Sequence, residues 1–414
     1  MTAHQSILKQ LRQRDGGVGL PRRFFTDRDV YELELEALFY RDWLFVAHTC
    51  EVPTTGSYLT TQVGDYPILI VRAADGQIRA FHNTCRHRGS RLCSASHGTT
   101  PRLVCPYHQW SYRLDGRLFA ARQLTGEVDR SKLGLKPVHC ESVGGYLFLC
   151  LAEHAPDFAP LRERFGAYFG PHQLDDARIA FESTIVEKAN WKLVWENNRE
   201  CFHCAANHPE LCRTYSDAPA VSGVQGAIED PAISEHGVRC EAAGLPSAFL
   251  LAEHGQYRLA RMPLLNNAES YTLSGRAAVQ RPLNAAITAR NIGTLLFFHF
   301  PTTWNHVLGD HAISFRVTPL GPNETQLTTK WLVHRDAVEG RDYNLKELTE
   351  VWLATNAQDR RIVEESQVGV SSPTYEPGPY AYAQEDGVRQ FIDWYSRSLE
   401  SYLTTADARH AHVA

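Results

Sequence analysis

Two pairs of cysteine and histidine residues constrain the fold of this chain more than any other feature of its sequence. The first pair is Cys85-Arg-His87, and the second, after 17 intervening residues, is Cys105-Pro-Tyr-His108. Thiolate sulfur and imidazole nitrogen are ligands for soft and borderline metals. Because two such pairs rarely occur together in an ordinary core, we expect two neighbouring loops that close over one metal centre.

A zinc ion and an iron–sulfur cluster are the two centres that this ligand set could hold. Zinc accepts two Cys and two His in a tetrahedral site. Zinc modules, however, mostly use Cys-x-x-Cys knuckles, whereas each loop here supplies one thiolate and one imidazole. This division favours a [2Fe–2S] cluster with two Cys on one iron and two His on the other, which would relay electrons. Cys93, between the loops, has no His partner at either spacing and is expected to be a buried thiol.

The residues around these loops predict a small antiparallel β domain. From residue 44 to 152 the sequence consists of short β-rich runs such as 66–72 and 146–151. Asp75-Gly76 and Asp115-Gly116 separate runs of this kind. Asp-Gly pairs are typical of tight β-hairpins, so the domain is expected to be built from hairpins.

The remainder of the chain predicts an α+β fold. The predicted elements are an extended segment over 179–187, a helix over 190–204, strands over 294–300, 311–318 and 326–333, and a long closing helix near 343–367. Grouped strands with a late helix favour an antiparallel sheet covered by helices. We therefore divide the chain into a helical segment over 1–43 that packs on the C-terminal domain, a β domain over 44–155 and a C-terminal domain over 156–414.

Composition and charge argue against several other classes of protein. Of the 414 residues, 43% are hydrophobic and 10% aromatic, which is enough for a sizeable core. A net charge of −5 without a basic block argues against nucleic acid as a partner. The most apolar run, 146–152, is far shorter than the roughly 20 residues that cross a bilayer, and the charged N-terminus predicts no signal peptide. We expect a cytoplasmic protein that does not bind membranes.

A second group of ligands follows in the C-terminal domain. His203 lies three residues after Glu200, so a helix would place both on one face. In a regular helix, His208 would point about 140° away from His203. Pro209 disfavours helical geometry at the residue before it, so we expect the helix to end near Asn207 and His208 to turn towards His203. The two imidazoles can then bind one ion.

Asp359 is the candidate for a third ligand. The long helix carries an apolar stripe that includes Leu348 and Val351, and Asp359 falls on the same stripe. A buried carboxylate is costly unless it is paired or bound to a metal. Glu364 and Glu365 are rivals that project further from the stripe. Two His and one carboxylate leave open positions on iron for O₂ and substrate, which is the arrangement of an oxygenase.

The two motifs together resemble those of the Rieske non-haem iron oxygenases. Cys-x-His followed by Cys-x-x-His is similar to the Rieske motif, and Glu200-x-x-His203-x4-His208 is similar to the family's acid-x-x-His-x4-His signature. The segment around Asp359 is similar to the one that carries the carboxylate ligand. The resemblance covers nearly the whole chain and implies a Rieske domain, a helix-grip-like catalytic domain, a [2Fe–2S] cluster and a mononuclear Fe(II).

The same resemblance implies how electrons move. In this family the subunits form a trimer, and the acid before the first His connects the cluster of one chain with the iron of the next. By this resemblance Glu200 would contact His203 of its own chain and His108 of a neighbour. Electrons would come from a separate NAD(P)H-dependent flavin or ferredoxin-type reductase, because the sequence has no Gly-x-Gly-x-x-Gly fingerprint.

The resemblance also indicates a class of substrate. Many ring-hydroxylating members have Asp at the position of Glu200, and the longer acid is typical of members that act on quaternary ammonium compounds. The members most similar in sequence remove an N-methyl group from betaines as formaldehyde. This implies demethylation of glycine betaine to dimethylglycine, with stachydrine, carnitine or another betaine as alternatives and ring hydroxylation as a weaker one.

A methylated cation should be held by aromatic faces, because it has no N–H to donate. Four aromatic residues near the ligand segments are therefore candidates for the substrate pocket: Phe202, Tyr271, Phe298 and Trp304. His299, His306 and His311 are expected to belong to the core or the pocket lining, and Cys201 and Cys204 to the packing. Two other classes of function stay open at this point: an electron-transfer protein without a catalytic iron, and a zinc-stabilised binding protein.

Overall fold

The computed structural model describes residues 3–216, 218 and 230–411, with the backbone alone for 406–411. The chain forms two compact units. The β unit consists of Phe39–Phe169 and Leu174–Arg178, and the mixed unit consists of Met1–Leu38, Gly170–Gln173 and Ile179–Ala414. The domain boundaries that the sequence predicts, after residues 43 and 155, stay predictions.

The helices and strands are numbered in chain order. The helices are α1 Ala3–Arg12, α2 Arg23–Thr26, α3 Arg28–Glu34, α4 Ala159–Phe169, α5 Trp191–Asn198, α6 Cys204–Asn207, α7 Pro231–Ala242, α8 Leu345–Val370 and α9 Asp386–Ala411. The first ten strands are β1 Leu44–His48, β2 Ser57–Val63, β3 Tyr66–Arg72, β4 Ile78–His82, β5 His97–Thr99, β6 Leu103–Val104, β7 Ser111–Tyr112, β8 Leu118–Ala120, β9 Pro137–Val143 and β10 Tyr146–Cys150. The others are β11 Ala177–Glu187, β12 Leu250–Leu251, β13 Tyr257–Met262, β14 Thr294–His299, β15 Thr303–Val307, β16 Ala312–Gly321 and β17 Glu324–His334.

The β unit contains a seven-stranded sheet in the order β1-β10-β9-β4-β3-β2-β5 and a three-stranded sheet in the order β6-β7-β8. Both predicted Asp-Gly hairpins are confirmed: they connect β3 to β4 and β7 to β8. Gly76 and Gly116 adopt φ values of 81° and 84°, which other residues adopt only at a cost. The predicted antiparallel β domain is therefore correct.

The mixed unit is built on a seven-stranded sheet in the order β11-β17-β16-β15-β14-β13-β12. From β12 to β17 each strand pairs antiparallel with the next. The predicted strands correspond to β11, β14, β16 and β17, whereas β12, β13 and β15 were not predicted. The α+β fold class is confirmed.

Helices α5, α8 and α9 support the metal-binding part of the mixed unit. Helix α5 contacts β16, β17 and both long helices. Glu34, the last residue of α3, connects α5 and α9, because its carboxylate accepts hydrogen bonds from Trp191, Lys192 and Tyr395 at 2.8, 2.6 and 2.6 Å. The predicted long helix is confirmed as α8, but α9 follows it and forms the end of the fold.

None of the helices in the described part of the chain combines the length and apolar character that crossing a bilayer requires.

Candidate functional site

The two loops of the first motif have the same backbone frame. In the first, Cys85 N–H donates to the Ser90 carbonyl at 2.8 Å, and the N–H four residues after Cys85 donates back to its carbonyl at 3.0 Å. In the second, Cys105 N–H donates to the Trp110 carbonyl at 2.8 Å, and Gln109 N–H donates to Cys105 at 3.1 Å. Each loop thus closes into a rigid turn around its cysteine.

The side chains of these loops are arranged with sulfur inside and imidazole outside. Cys85 and Cys105 are 3% and 1% exposed. The rings of His87 and His108 lie nearer the surface, with centroids 4.6 Å apart. His87 also stacks on Trp110 with centroids 4.7 Å apart. The four predicted cluster residues are therefore placed by adjacent turns on one side of the β unit.

Tyr112 is a further residue at this centre that sequence reasoning missed. Its hydroxyl lies 3.3 Å from Cys85 Sγ and accepts a hydrogen bond from Arg86 N–H at 3.1 Å. Burial and the contact with Cys85 raise the pKa of Tyr112. The phenol therefore stays protonated and can donate a hydrogen bond to a thiolate at Cys85. Cys93 is half-buried, and burial raises the pKa of its thiol to about 11, so it stays a neutral thiol.

The second motif is not helical where a helix was expected. Helix α5 ends at Asn198, so the prediction of a helix through residue 204 was wrong between α5 and α6. The reason is the Glu200 carboxylate, which accepts hydrogen bonds from the N–H groups of Phe202 and His203. Such side-chain bonds compete with helical backbone bonds. Glu200 and His203 therefore meet across a turn, not along a helix face.

His208 turns towards His203 in the way that Pro209 predicts. Helix α6 ends at Asn207, and His208 leaves helical geometry with φ −124° and ψ 66°. The Nε2 atoms of His203 and His208 lie 3.1 Å apart. The break before the proline thus brings the two imidazoles together.

Asp359 completes this cluster of donor atoms from the interior of α8. Its Oδ1 lies 3.4 Å from His203 Nε2 and 3.0 Å from His208 Nε2. Of the two rival acids, Glu364 accepts hydrogen bonds from Lys188 N–H and Arg360 instead, and Glu365 is exposed. The structure therefore brings Asp359, and neither rival, to the two imidazoles.

Both imidazoles are oriented through their other ring nitrogen. His203 Nδ1 lies 2.5 Å from Glu200 Oε1, and His208 Nδ1 lies 2.8 Å from Gln358 Oε1. Gln358 in turn donates to Glu210 at 2.9 Å. Since both acceptors are oxygen atoms, each Nδ1 carries the proton and each Nε2 presents a lone pair. Sequence reasoning missed Gln358 and Glu210, although Gln358 stands directly before Asp359.

The charge balance of this cluster suits a cation. Burial alone would lower the pKa of His203, but Asp359 and Glu200 outweigh it and raise that pKa to about 9. Asp359 raises the pKa of His208 against burial in the same way. The imidazoles lower the pKa of Asp359 although burial opposes this. The three groups thus attract positive charge between them, and a metal cation could take the place of the proton. The two Nε2 atoms and the carboxylate oxygen, all within 3.4 Å, fit a two-histidine, one-carboxylate metal site.

Cys201 and Cys204 form a disulfide bond, which corrects the expectation that they only contribute to packing. The turn between them, closed by a 3.1 Å hydrogen bond from Cys204 N–H to the Cys201 carbonyl, brings the two thiols together. Cys204 lies close enough to both histidines to be a metal ligand by distance. Because its sulfur is bonded to Cys201, it offers no thiolate to the cluster.

A cavity adjoins the donor atoms. Trp304 is one of its lining residues, but the other three predicted pocket residues are not. Phe202 is 61% exposed, and Tyr271 and Phe298 are buried behind the wall. Sequence reasoning missed three aromatic residues of the lining, Tyr215, Phe315 and Trp352, whereas His306, expected in the core or the pocket lining, does line the cavity. His299 and His311 are buried in the core, as expected.

The cavity also contains a buried carboxyl group that the motif did not indicate. Glu187 at the end of β11 is 1% exposed, and its Oε2 has no hydrogen-bond partner among the described residues. Burial, with Asp359 and Glu364 nearby, raises the pKa of Glu187 to about 8. The carboxyl is therefore mostly neutral at pH 7.

The fold and the donor sets define an oxygenase that combines a Rieske domain with a non-haem iron domain, and the chain belongs to the Rieske non-haem iron oxygenases. The domain described as "Ring hydroxylating alpha subunit (catalytic domain)" matches residues 174–401, and the "Rieske [2Fe-2S] domain" matches residues 42–132. The cofactors of this enzyme are a Rieske [2Fe–2S] cluster and a mononuclear iron.

Two relatives are similar over nearly the whole chain, and a third is similar over about half of it. The glycine betaine monooxygenase oxygenase subunit of Pseudomonas aeruginosa is 43% identical, covering 99% of this chain and 95% of that protein. Its counterpart in Chromohalobacter salexigens is 46% identical, covering 99% and 92%. The carnitine monooxygenase oxygenase subunit of Acinetobacter baumannii is 35% identical over 46% of this chain and 52% of that protein.

Solved structures share the fold. A quaternary ammonium Rieske monooxygenase in complex with L-carnitine has a TM-score of 0.70 at 22% identity, covering 93% of this chain and 97% of that one. Naphthalene 1,2-dioxygenase from Rhodococcus sp., bound to indole, also has a TM-score of 0.70, at 18% identity and with 96% and 98% covered. At these identities the likeness concerns the architecture alone.

Proposed function

We propose that the chain is the oxygenase component of a two-component monooxygenase that demethylates glycine betaine. The observation that carries this proposal is the identity of 43% and 46% to two glycine betaine monooxygenase oxygenase subunits over nearly their whole length. The carnitine enzymes match less than half of the chain. Carnitine, stachydrine and other betaines are therefore the alternative substrates, and ring hydroxylation is a weaker one.

Cys85, His87, Cys105 and His108 would hold the cluster, and His203, His208 and Asp359 would hold the iron. Buried sulfurs and outward imidazoles support the first set. Three donor atoms within 3.4 Å of one another support the second. When bound, the iron would activate O₂ for attack on a methyl C–H bond. A flavin could not oxidise this substrate as it would an amine, because a quaternary nitrogen has no lone pair.

The residues around these donors keep them in the required protonation state. Glu200 and Gln358 hold the proton of each imidazole on Nδ1, so that both Nε2 atoms stay free to bind metal. Glu200 would also contact His108 of a neighbouring chain in a homotrimer and so connect the two centres. A separate NAD(P)H-dependent reductase would reduce the cluster.

The cavity would hold the trimethylammonium group of the substrate against its aromatic wall. Trp304 stacks on Phe315 with centroids 5.1 Å apart, and Phe315 contacts Trp352 at 5.0 Å. Ring faces attract a cation that has no N–H to donate. Asp359 and Glu200 at the adjoining end of the cavity add negative charge. The methyl groups would therefore lie towards the three donor atoms.

The balance of the reaction defines what must be measured. Glycine betaine, O₂, two electrons and two protons give dimethylglycine, formaldehyde and water. The hydroxylated methyl group loses its O–H proton while its C–N bond breaks and leaves the electron pair on nitrogen. Each turnover should therefore release one formaldehyde for every NAD(P)H that the reductase consumes.

The test supplies the purified, metal-loaded chain with reduced reductase and O₂ and offers a panel of glycine betaine, stachydrine, carnitine and naphthalene. We expect formaldehyde in a 1:1 ratio with the reductant and the highest kcat/KM for glycine betaine. A higher kcat/KM for another betaine would move the proposal to that substrate. Absence of formaldehyde from all three betaines would overturn the demethylase function.

A further inference from the structure

Two tryptophans of the cavity wall have indole N–H groups without an acceptor. Trp304 on β15 and Trp352 on α8 both line the cavity, and each is 7% exposed. Within the described ranges, neither Nε1 atom has a hydrogen-bond partner. A buried donor without an acceptor is costly, so each such group calls for an explanation.

Two other donor groups of the cavity are already engaged. Asn356 Nδ2 donates to Thr329 at 2.9 Å, and the Thr355 hydroxyl donates to the Val351 carbonyl at 2.9 Å. The residues that line the cavity in the described part of the chain include neither Lys nor Arg. A carboxylate in this cavity would therefore depend on neutral donors.

The two indoles belong to one continuous wall. Phe315 contacts both of them, and the ring of His306 lies 4.5 Å from that of Trp352. Burial, together with His311 and Arg258, lowers the pKa of His306 to about 3, so this ring adds no charge of its own at neutral pH. The wall combines apolar faces with two free N–H groups.

Negative charge lines the cavity, and positive charge lies behind part of its wall. Glu200 and Asp359 lie at the metal end. Buried Arg258 is close enough to influence the pKa values of Tyr215 and His306 in the wall. Arg199 adds a second positive charge near Tyr215, and Asp386 offsets part of the two charges. A zwitterion with its ammonium group towards the metal end fits this polarity.

We propose that the indole N–H groups of Trp304 and Trp352 donate hydrogen bonds to the carboxylate of the substrate. This inference rests on the proposed betaine demethylase function and deepens it. The aromatic faces hold the methylated cation, whereas the two N–H groups select a betaine over a quaternary amine without a carboxylate. The donors are neutral, so the carboxylate binds without forming a buried ion pair.

The test compares two probes, glycine betaine and tetramethylammonium, by calorimetric titration of the metal-loaded enzyme. In Trp304→Phe and Trp352→Phe, each of which keeps an aromatic ring but removes the N–H, we expect glycine betaine to bind roughly tenfold or more weakly, since hydrogen bonds to charged groups are the strong ones. Tetramethylammonium should bind within about twofold of wild type. Trp331→Phe is the matched control, because Trp331 is a buried tryptophan with an unpartnered N–H that does not line the cavity.

Unchanged affinity for glycine betaine in both variants would overturn the inference. An equal loss of affinity for glycine betaine and tetramethylammonium would overturn it too, because the effect would then come from the shape of the ring. If a phenylalanine variant does not fold, β-(benzothiophen-3-yl)alanine at the same position replaces N–H by sulfur while keeping the shape, and the same outcomes apply. Failure of the proposed function is distinct from these results: the wild type would then neither bind nor demethylate glycine betaine.

Discussion

The three acids of α8 that could serve as a metal ligand differ in what their carboxylates contact. Asp359 faces His203 and His208. Glu364 caps Lys188 N–H instead, and Glu365 faces solvent. Periodicity could rank these acids, because only Asp359 continues the apolar stripe. Periodicity alone could not exclude the rivals, because Lys188, whose N–H donates to Glu364, is distant in the sequence.

Asp359→Ala should remove the mononuclear iron and leave the cluster in place. The variant loses the only negative ligand of the proposed set, whereas the cluster residues belong to the other compact unit. Iron analysis should show one iron lost of the three per chain, with the Rieske paramagnetic signal retained and demethylation abolished. Glu364→Ala is the matched control and should keep all three. Full iron in Asp359→Ala would contradict the assignment.

Gln358→Ala should weaken iron binding without removing a ligand. Gln358 fixes the proton of His208 on Nδ1, and loss of such outer partners typically lowers metal affinity by about 10–100-fold. Competition with a chelator of known affinity measures the change, and Glu365→Ala on the same helix should show none. Equal iron retention in both variants would mean that His208 is oriented without Gln358.

Pocket residues were harder to predict than ligands at the residue scale. Spacing in the motif determines which histidines can meet, whereas Tyr271, Phe298 and Trp304 are equally aromatic. Phe298 and Trp304 are register partners on β14 and β15, yet Trp304 reaches the cavity and Phe298 packs under Arg199. That difference depends on strand register and helix placement, which composition does not contain.

At the scale of elements, the sequence predicted the strands and hairpins whose residue pattern is local. Strands β3, β10 and β16 are continuous apolar or alternating runs, and the Asp-Gly turns define hairpins directly. The predicted helix over 190–204 forms only as far as residue 198, because one side chain, Glu200, binds backbone N–H groups that a continued helix would use. Helix α9 was missed although Phe391 and Tyr395 in it are fully buried against distant parts of the mixed unit.

The pH dependence of stability should reveal a half-buried acid on α5, Glu196. Desolvation of its carboxyl raises the pKa of Glu196 to about 8, a net effect that Lys192 reduces and Glu385 increases. Because the folded state keeps the proton while the unfolded chain releases it above its ordinary pKa of 4.5, this group makes stability fall as the pH rises from about 5 to 8.

Glu196→Gln should reduce that fall. One such group contributes up to about 1.4 kcal/mol per pH unit. Apparent Tm values measured from pH 5.5 to 8 should decline less steeply in the variant, while the exposed control Glu365→Gln follows the wild type. An unchanged slope in Glu196→Gln would show that Glu196 is ionised in the folded enzyme.

At the scale of the whole molecule, the proposed electron path requires assembly. The cluster residues and the iron residues lie in different compact units of the chain. We expect a homotrimer in solution with a mass of about 140 kDa, three times the 46.7 kDa of one chain. Sedimentation equilibrium measures this mass, and a strictly monomeric but active enzyme would rule out transfer between chains.

Glu200→Gln should keep both metal centres and slow transfer between them. The amide keeps the size of the side chain but loses the charge that pairs with His203 Nδ1. In a single-turnover experiment with prereduced enzyme, substrate and O₂, cluster reoxidation should slow at least about tenfold while metal content is unchanged. Glu364→Gln serves as control; reoxidation at the wild-type rate in Glu200→Gln would remove Glu200 from the path.

The position of Asp359 within α8 has a consequence for how the enzyme regains lost iron. Helix α8 is 26 residues long and is anchored by its own buried stripe, including Leu348, Val351 and Trp352. The segment that carries the two histidines is closed by backbone turns and a disulfide bond of its own. The two parts of the mononuclear site are therefore each held by contacts of the chain itself. We expect that iron removed from this site by a chelator can be restored to the same enzyme molecules without refolding them.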